Sequence, residues 1–289
     1  MENRNNKHGF FYCISPVLVF LGLSILSGVV LGVISFMKFG SFGGSVSSTE
    51  ILNFVSSCTH MTYFAVYGVL TVYCTAKFFK KEKRCFDDKY IGGSFLKNTF
   101  FALLYGLSLN IATEVLIVML GGIFDISSLL NAHSQSVDSL MTDSPLFNLL
   151  LLGAAAPIAE ELMMRSLVFN RLRSDLSEGY AIGISALIFA LLHYPSVLQI
   201  GYAFVLGVVL AYAYVKYEKI YVPIMIHAGF NLTSFILMIP AVENFFGTVA
   251  GMLMHYFLAV ALCAFSYKAL RNKEKPQLKP QGSNEAGEG

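Results

Sequence analysis

Long apolar runs separated by short polar breaks recur along nearly the whole chain. A helix needs about 20 predominantly apolar residues to cross a bilayer. By that measure the sequence predicts eight spans: Phe10–Met37, Ile51–Phe78, Phe95–Phe124, Leu146–Val168, Tyr180–Leu192, Ser196–Val215, Ile220–Ile239 and Phe245–Ser266. Pro195 divides the stretch from Tyr180 to Val215, which reads as two spans or as one span plus a re-entrant segment lining a cavity. The predicted fold class is therefore all-α, a polytopic membrane protein.

Basic residues set the orientation, because short cytoplasmic loops collect Lys and Arg. Arg4 and Lys7 precede the first span, and Lys77, Lys80, Lys81, Lys83, Arg84 and Lys89 follow the second. Arg171 and Arg173 follow the fourth, Lys216 and Lys219 the sixth, and Lys268, Arg271, Lys273 and Lys275 the last. The alternate connections, Gly40–Glu50, Asp125–Asp143, His193–Ser196 and Pro240–Asn244, are nearly free of them. Eight spans with both termini cytoplasmic satisfy every loop. The chain divides into three helices over 1–144, a helical core over 145–267 and a polar tail over 268–289 that reads as disordered.

Composition agrees with this pattern. The 289 residues are 55% hydrophobic but only 13% charged, against about 25% charged in soluble domains. A net charge of +2 says nothing about partners. Trp is absent, and the 15 Tyr residues take its place at the interfaces. Cys13, Cys58, Cys74, Cys85 and Cys263 are dispersed without a CxxC pair, which is neither a disulfide framework nor a metal cage. The first apolar run is too long for a signal-peptide core and lacks a cleavage site, so it stays as a helix. The basic cluster at Lys77–Arg84 reads as a topology signal, and no nucleic-acid partner is expected. Membrane lipids are.

Ionisable residues inside such helices are functional candidates, since a charge at the bilayer centre costs about 2.5–3.5 kcal/mol even on insertion scales. Three clusters stand out. In the fourth span, Glu160 and Glu161 precede Arg165. Adjacent helical residues point about 100° apart, so Glu161 pairs with Arg165 at i,i+4 and Glu160 faces another helix. Phe189 and His193 end the short fifth segment, and His227 and Asn231 share one face of the seventh. At about 1.5 Å rise per residue these clusters reach a common depth in the cytoplasmic half of the bilayer. Each has a plainer reading: solvated charges at a helix end, an interface histidine, or interhelical hydrogen-bond glue. Asn110 and Glu114 form a similar pair in the third span, read as structural.

A carboxylate, two imidazoles and an amide, with no Ser or Cys nucleophile beside them, fit activation of water. Glu160 is the expected general base, helped by His193. His227 and Asn231 would donate to the oxyanion of a peptide carbonyl, and Glu161 with Arg165 would hold the fourth helix in register. The same set also fits a divalent metal, with Glu160, His193 and His227 as ligands and zinc as the first choice, although no HExxH motif is present. A non-catalytic regulatory or immunity protein acting by contact is the main alternative. A transporter using Glu114 and Glu160 ranks below it, because no paired half-helices are visible.

The order EExxxR, FxxxH, HxxxN on successive helices, with the flanks FALLHYPS and VPIMIHAGFN, resembles the CAAX-protease and bacteriocin-processing (CPBP, or Abi) family of intramembrane proteases. The resemblance covers roughly Leu146–Leu237. It implies that Glu160, Glu161, His193, His227 and Asn231 are catalytic, that Arg165 and Phe189 complete the motifs, and that the first Glu and the middle His activate water. It also implies a peptide or lipid-modified protein substrate and a grouping with the metalloproteases. Met164 and Ser166 depart from the family's usual residues around the Arg, at packing positions. Bacteriocin immunity or maturation and pheromone processing are the expected settings, in a bacterial plasma membrane.

Overall fold

The structure is a computed structural model and describes residues 9–40, 47–81, 95–138, 144–237, 242, 244–245 and 248–271. Residues Lys83–Lys89, including Cys85, and the tail beyond Arg271 lie outside the described residues, as do most of the Gly40–Glu50 and Pro240–Asn244 connections. No strand occurs among the described residues. The helices are α1 (Phe10–Phe39), α2 (Ser48–Lys81), α3 (Phe95–Ile123), α4 (Ser127–Asp138), α5 (Pro145–Asp175), α6 (Glu178–Leu191), α7 (Val197–Tyr217), α8 (Tyr221–Leu237) and α9 (Val249–Arg271). The all-α membrane class stands.

Five of these, α1, α3, α5, α7 and α9, are long and apolar enough to cross a membrane. Helices α6 and α8 are apolar but shorter, at 14 and 17 residues. Leu21, Ile25, Leu26, Val29 and Val33 leave α1 broadly exposed, an apolar surface of the kind a membrane helix presents to lipid. Two details differ from the sequence expectation. The Asp125–Asp143 connection contains α4, whose start is held by Asp125 accepting from the Ser127 amide at 3.1 Å and hydroxyl at 2.7 Å. Its mixed, largely polar sequence gives no span signal. Arg171 is buried rather than a loop charge: it donates to the Tyr12 carbonyl at 2.7 Å and to Ser15 Oγ at 2.9 Å, tying α5 to α1.

Helix α5 is central. One hydrophobic core joins Leu70, Cys74 and Phe78 of α2 to Met163, Met164 and Leu167 of α5, with Phe189 of α6 and Tyr214 of α7. A second core joins α3, α7 and α8 through Ala102, Leu206, Leu210, Val222, Ile226 and Phe230. Helix α4 rests on α7, where His133 Nδ1 lies 3.1 Å from Ser196 Oγ. The four described cysteines are free thiols.

Helices α3 and α8 meet backbone to backbone, as small residues permit in membranes. A Cβ on Gly106 would strike the Ile226 carbonyl oxygen, and one on Gly229 would strike the Leu103 carbonyl oxygen. Ala102 lies one turn before Gly106 on the same face. Forcing side chains into such contacts typically costs about 1–3 kcal/mol. Gly106→Val or Gly229→Val should therefore lower the thermal unfolding midpoint in detergent and displace His227, which lies between Ile226 and Gly229. Unchanged unfolding of both variants would contradict the close crossing.

Candidate active site

The site is built on an irregularity in α5. The helix is wound as π-helix over Leu151–Ala155 and again over Leu162–Phe169, with ordinary α-helix over Ala156–Glu161 between them. Such π segments recur at functional sites. Pro157 supplies a local cause, because it lacks an N–H and its ring crowds the carbonyl four residues earlier, that of Gly153. The wider turn spans that residue. Asn231 of α8 donates from Nδ2 to the carbonyl of Leu152 within the same turn, at 2.8 Å.

Four ionisable side chains form a chain across α5 and α8. Arg165 Nη1 donates to Glu161 Oε1 at 2.9 Å, and Arg165 Nη2 donates to the Gly207 carbonyl of α7 at 3.1 Å. The same Glu161 oxygen lies 3.0 Å from His227 Nδ1. His227 Nε2 in turn lies 3.9 Å from Glu160 Oε2. Glu161 and Arg165 are 0% and 1% exposed and His227 is 2% exposed, while the Glu160 side chain keeps 15%. Glu160 is thus the more exposed of the two acids, and Glu161 is fully buried.

Phe189 joins the second histidine to this chain. Its ring lies under the Arg165 guanidinium at 4.9 Å and edge-on to both His227, at 5.6 Å, and His193, at 4.8 Å. His193 sits in the turn after α6, with Nδ1 2.9 Å from the carbonyl of Phe189. A carbonyl only accepts, so Nδ1 carries the proton and neutral His193 presents Nε2 as an acceptor. No described contact joins Glu160 directly to His193, the residue expected to help it. Glu160 faces His227 instead. Asn110 and Glu114 are not part of this chain; the buried Asn110 donates to Ser234 Oγ at 3.3 Å.

One contact has no counterpart in the sequence motifs. Tyr67 of α2 donates its hydroxyl to Glu160 Oε1 at 3.0 Å. Nothing in the sequence distinguishes Tyr67 from the other membrane tyrosines, and only the packing of α2 against α5 reveals it.

A three-ligand metal site is not assembled here. Among the described residues no group of three or more His, Cys, Asp or Glu side chains is gathered to hold an ion. Glu160 and His227 face each other, but His193 is held against Phe189. The set Glu160, His193 and His227 is thus not gathered as three ligands among the described residues, and no step below depends on a metal.

No curated protein and no solved structure gives a significant match to the chain. Residues 142–233 match the family model described as "Rce1-like: Type II CAAX prenyl endopeptidase Rce1-like". That stretch, about a third of the chain, contains Glu160, Glu161, Arg165, Phe189, His193, His227 and Asn231. The family is one of membrane proteases, and it is over residues 142–233 that the chain is similar to it.

Proposed function

We propose that the chain is an intramembrane endopeptidase in which water held between Glu160 and His227 attacks a peptide carbonyl near the cytoplasmic face. The observation that carries this reading is the 3.9 Å approach of Glu160 Oε2 to His227 Nε2. Glu161 is an acceptor, so it fixes the proton of neutral His227 on Nδ1 and leaves Nε2 as an acceptor. Two acceptors then face each other at a distance too long for a direct hydrogen bond. A water molecule donating one hydrogen to each satisfies both and turns its lone pair outward to the substrate.

In hydrolysis the water oxygen bonds to the carbonyl carbon as Glu160 takes its proton. The electron pair of the carbonyl double bond moves onto oxygen. Glu160 then returns that proton to the amide nitrogen, the C–N bond breaks, and a carboxylic acid and an amine leave. Asn231 has two N–H groups on Nδ2; one is given to Leu152 and the other serves the oxyanion. His193 offers Nε2 as an acceptor for a substrate N–H or for the water.

The substrate is a membrane-associated peptide, with bacteriocin precursors, peptide pheromones and prenylated C-termini as the candidates, in a bacterial plasma membrane. The test is cleavage of prenylated and unmodified peptides by the protein reconstituted in liposomes, compared with His227→Ala. Cleavage by wild type and none by the variant, at equal membrane abundance, is expected. A phenotype kept by His227→Ala at equal abundance would instead establish a non-catalytic partner protein.

A further inference from the structure

Resting on that reading, we propose that Tyr67 is a positioning residue for the hydrolysis, so that the active site is completed by α2, outside the family-matched stretch. Glu160 carries a side chain with three rotatable bonds and is the most exposed member of the network. Its two oxygens have different tasks. Oε1 accepts the Tyr67 hydroxyl at 3.0 Å, and Oε2 is thereby turned toward His227. With Oε1 released, rotation about the last bond is broad, and the carboxylate no longer presents one oxygen to the imidazole.

Tyr67 is itself held. Its ring stacks on Phe20 of α1, with centroids 6.1 Å apart and planes 19° from parallel. Val66 and Leu70 on either side of it in α2 are buried, and Tyr67 packs against the core that contains Met163, Met164 and Leu167 of α5. The Arg171 contacts to Tyr12 and Ser15 fasten α1 to the far end of α5. Helices α1 and α2 therefore form a wall that sets the angle of the catalytic carboxylate. A hydroxyl suits this position because it can donate to a carboxylate without adding a charge in the membrane.

The experiment is Tyr67→Phe in the full-length reconstituted protein, assayed beside wild type and Glu160→Gln. The substitution keeps the ring and its stacking and removes only the oxygen. Misplacement of a catalytic group by an ångström costs about 100-fold, so kcat should fall about 10- to 100-fold. KM should stay within about twofold, because the residue does not bind substrate. Membrane abundance and the unfolding midpoint should match wild type. An active wild type, an inactive Glu160→Gln and a Tyr67→Phe with unchanged kcat would overturn the role of Tyr67 alone. So would a Tyr67→Phe whose loss of activity follows a matching loss of folded protein. Glu160→Gln as active as wild type would overturn the protease reading, and this inference with it.

Discussion

Glu160→Gln is expected to lower kcat by about 10²- to 10⁴-fold, the range supplied by a positioned general base. The amide is nearly the same shape as the carboxylate and its oxygen still accepts from Tyr67, so the packing of α2 on α5 survives. What disappears is the acceptor that takes the proton from water. Because Glu160 stands outside the Glu161–Arg165 ion pair and keeps 15% of its side chain exposed, its loss as a base should leave stability nearly unchanged. The check is a progress curve for peptide cleavage together with a melting curve on the same preparation. A variant that loses both in parallel would make Glu160 structural.

The second large effect concerns stability. Arg165→Ala should destabilise the fold by about 3–5 kcal/mol, the usual result of removing one partner of a buried ion pair. Glu161 is fully buried, and Arg165 is among the largest fully buried side chains of the described residues. Their contacts are already incomplete, since Glu161 Oε2 and Arg165 Nε have no hydrogen-bond partner among the described residues. Truncating the arginine would leave the carboxylate with His227 alone and open a cavity beside Phe189. The double variant Glu161→Gln/Arg165→Met should be much milder, because exchanging a whole buried pair for neutral groups of similar volume is often close to neutral. The glutamine oxygen would still accept from His227 Nδ1. Thermal unfolding of the single and double variants decides this: equal losses in both would mean that charge compensation is not what Arg165 provides.

The sequence disclosed the parts of the site that follow from helical spacing. Glu161 and Arg165 at i,i+4 form their pair at 2.9 Å, and the neighbouring Glu160 does turn to other helices. Depth arithmetic brought the cluster on α8 to the level of α5. It could not choose which histidine would face Glu160, because that depends on the rotation of α6 and α8 about their axes. In the structure it is His227 whose Nε2 lies 3.9 Å from Glu160, while His193 Nδ1 donates to the Phe189 carbonyl. Nor could it foresee the π turns, since the loosened winding around Pro157 leaves no period in the residue pattern. Tyr67 was invisible for a different reason: its contact with Glu160 spans 93 residues and rests on the docking of two helices without motifs. Helix α4 was missed because 12 mixed residues carry neither a span signal nor a strong cap motif.

These findings change how the front of the chain is regarded. Helices α1 and α2 lie outside the matched stretch, yet they supply the donor to Glu160 and the hold on Arg171. Helix α3 supplies the glycine contact that seats His227. The candidate reacting groups lie on α5, on α8 and in the turn after α6, and in the proposed mechanism their alignment depends on α1, α2 and α3.

The most direct measurement is mass spectrometry of peptide fragments released in ¹⁸O-labelled water by the reconstituted protein, with Glu160→Gln run in parallel. Hydrolysis by the Glu160–His227 pair predicts a new C-terminal carboxylate carrying one ¹⁸O atom with wild type, and no fragments with the variant. Intact peptide with wild type, or labelled fragments formed equally fast by Glu160→Gln, would contradict it.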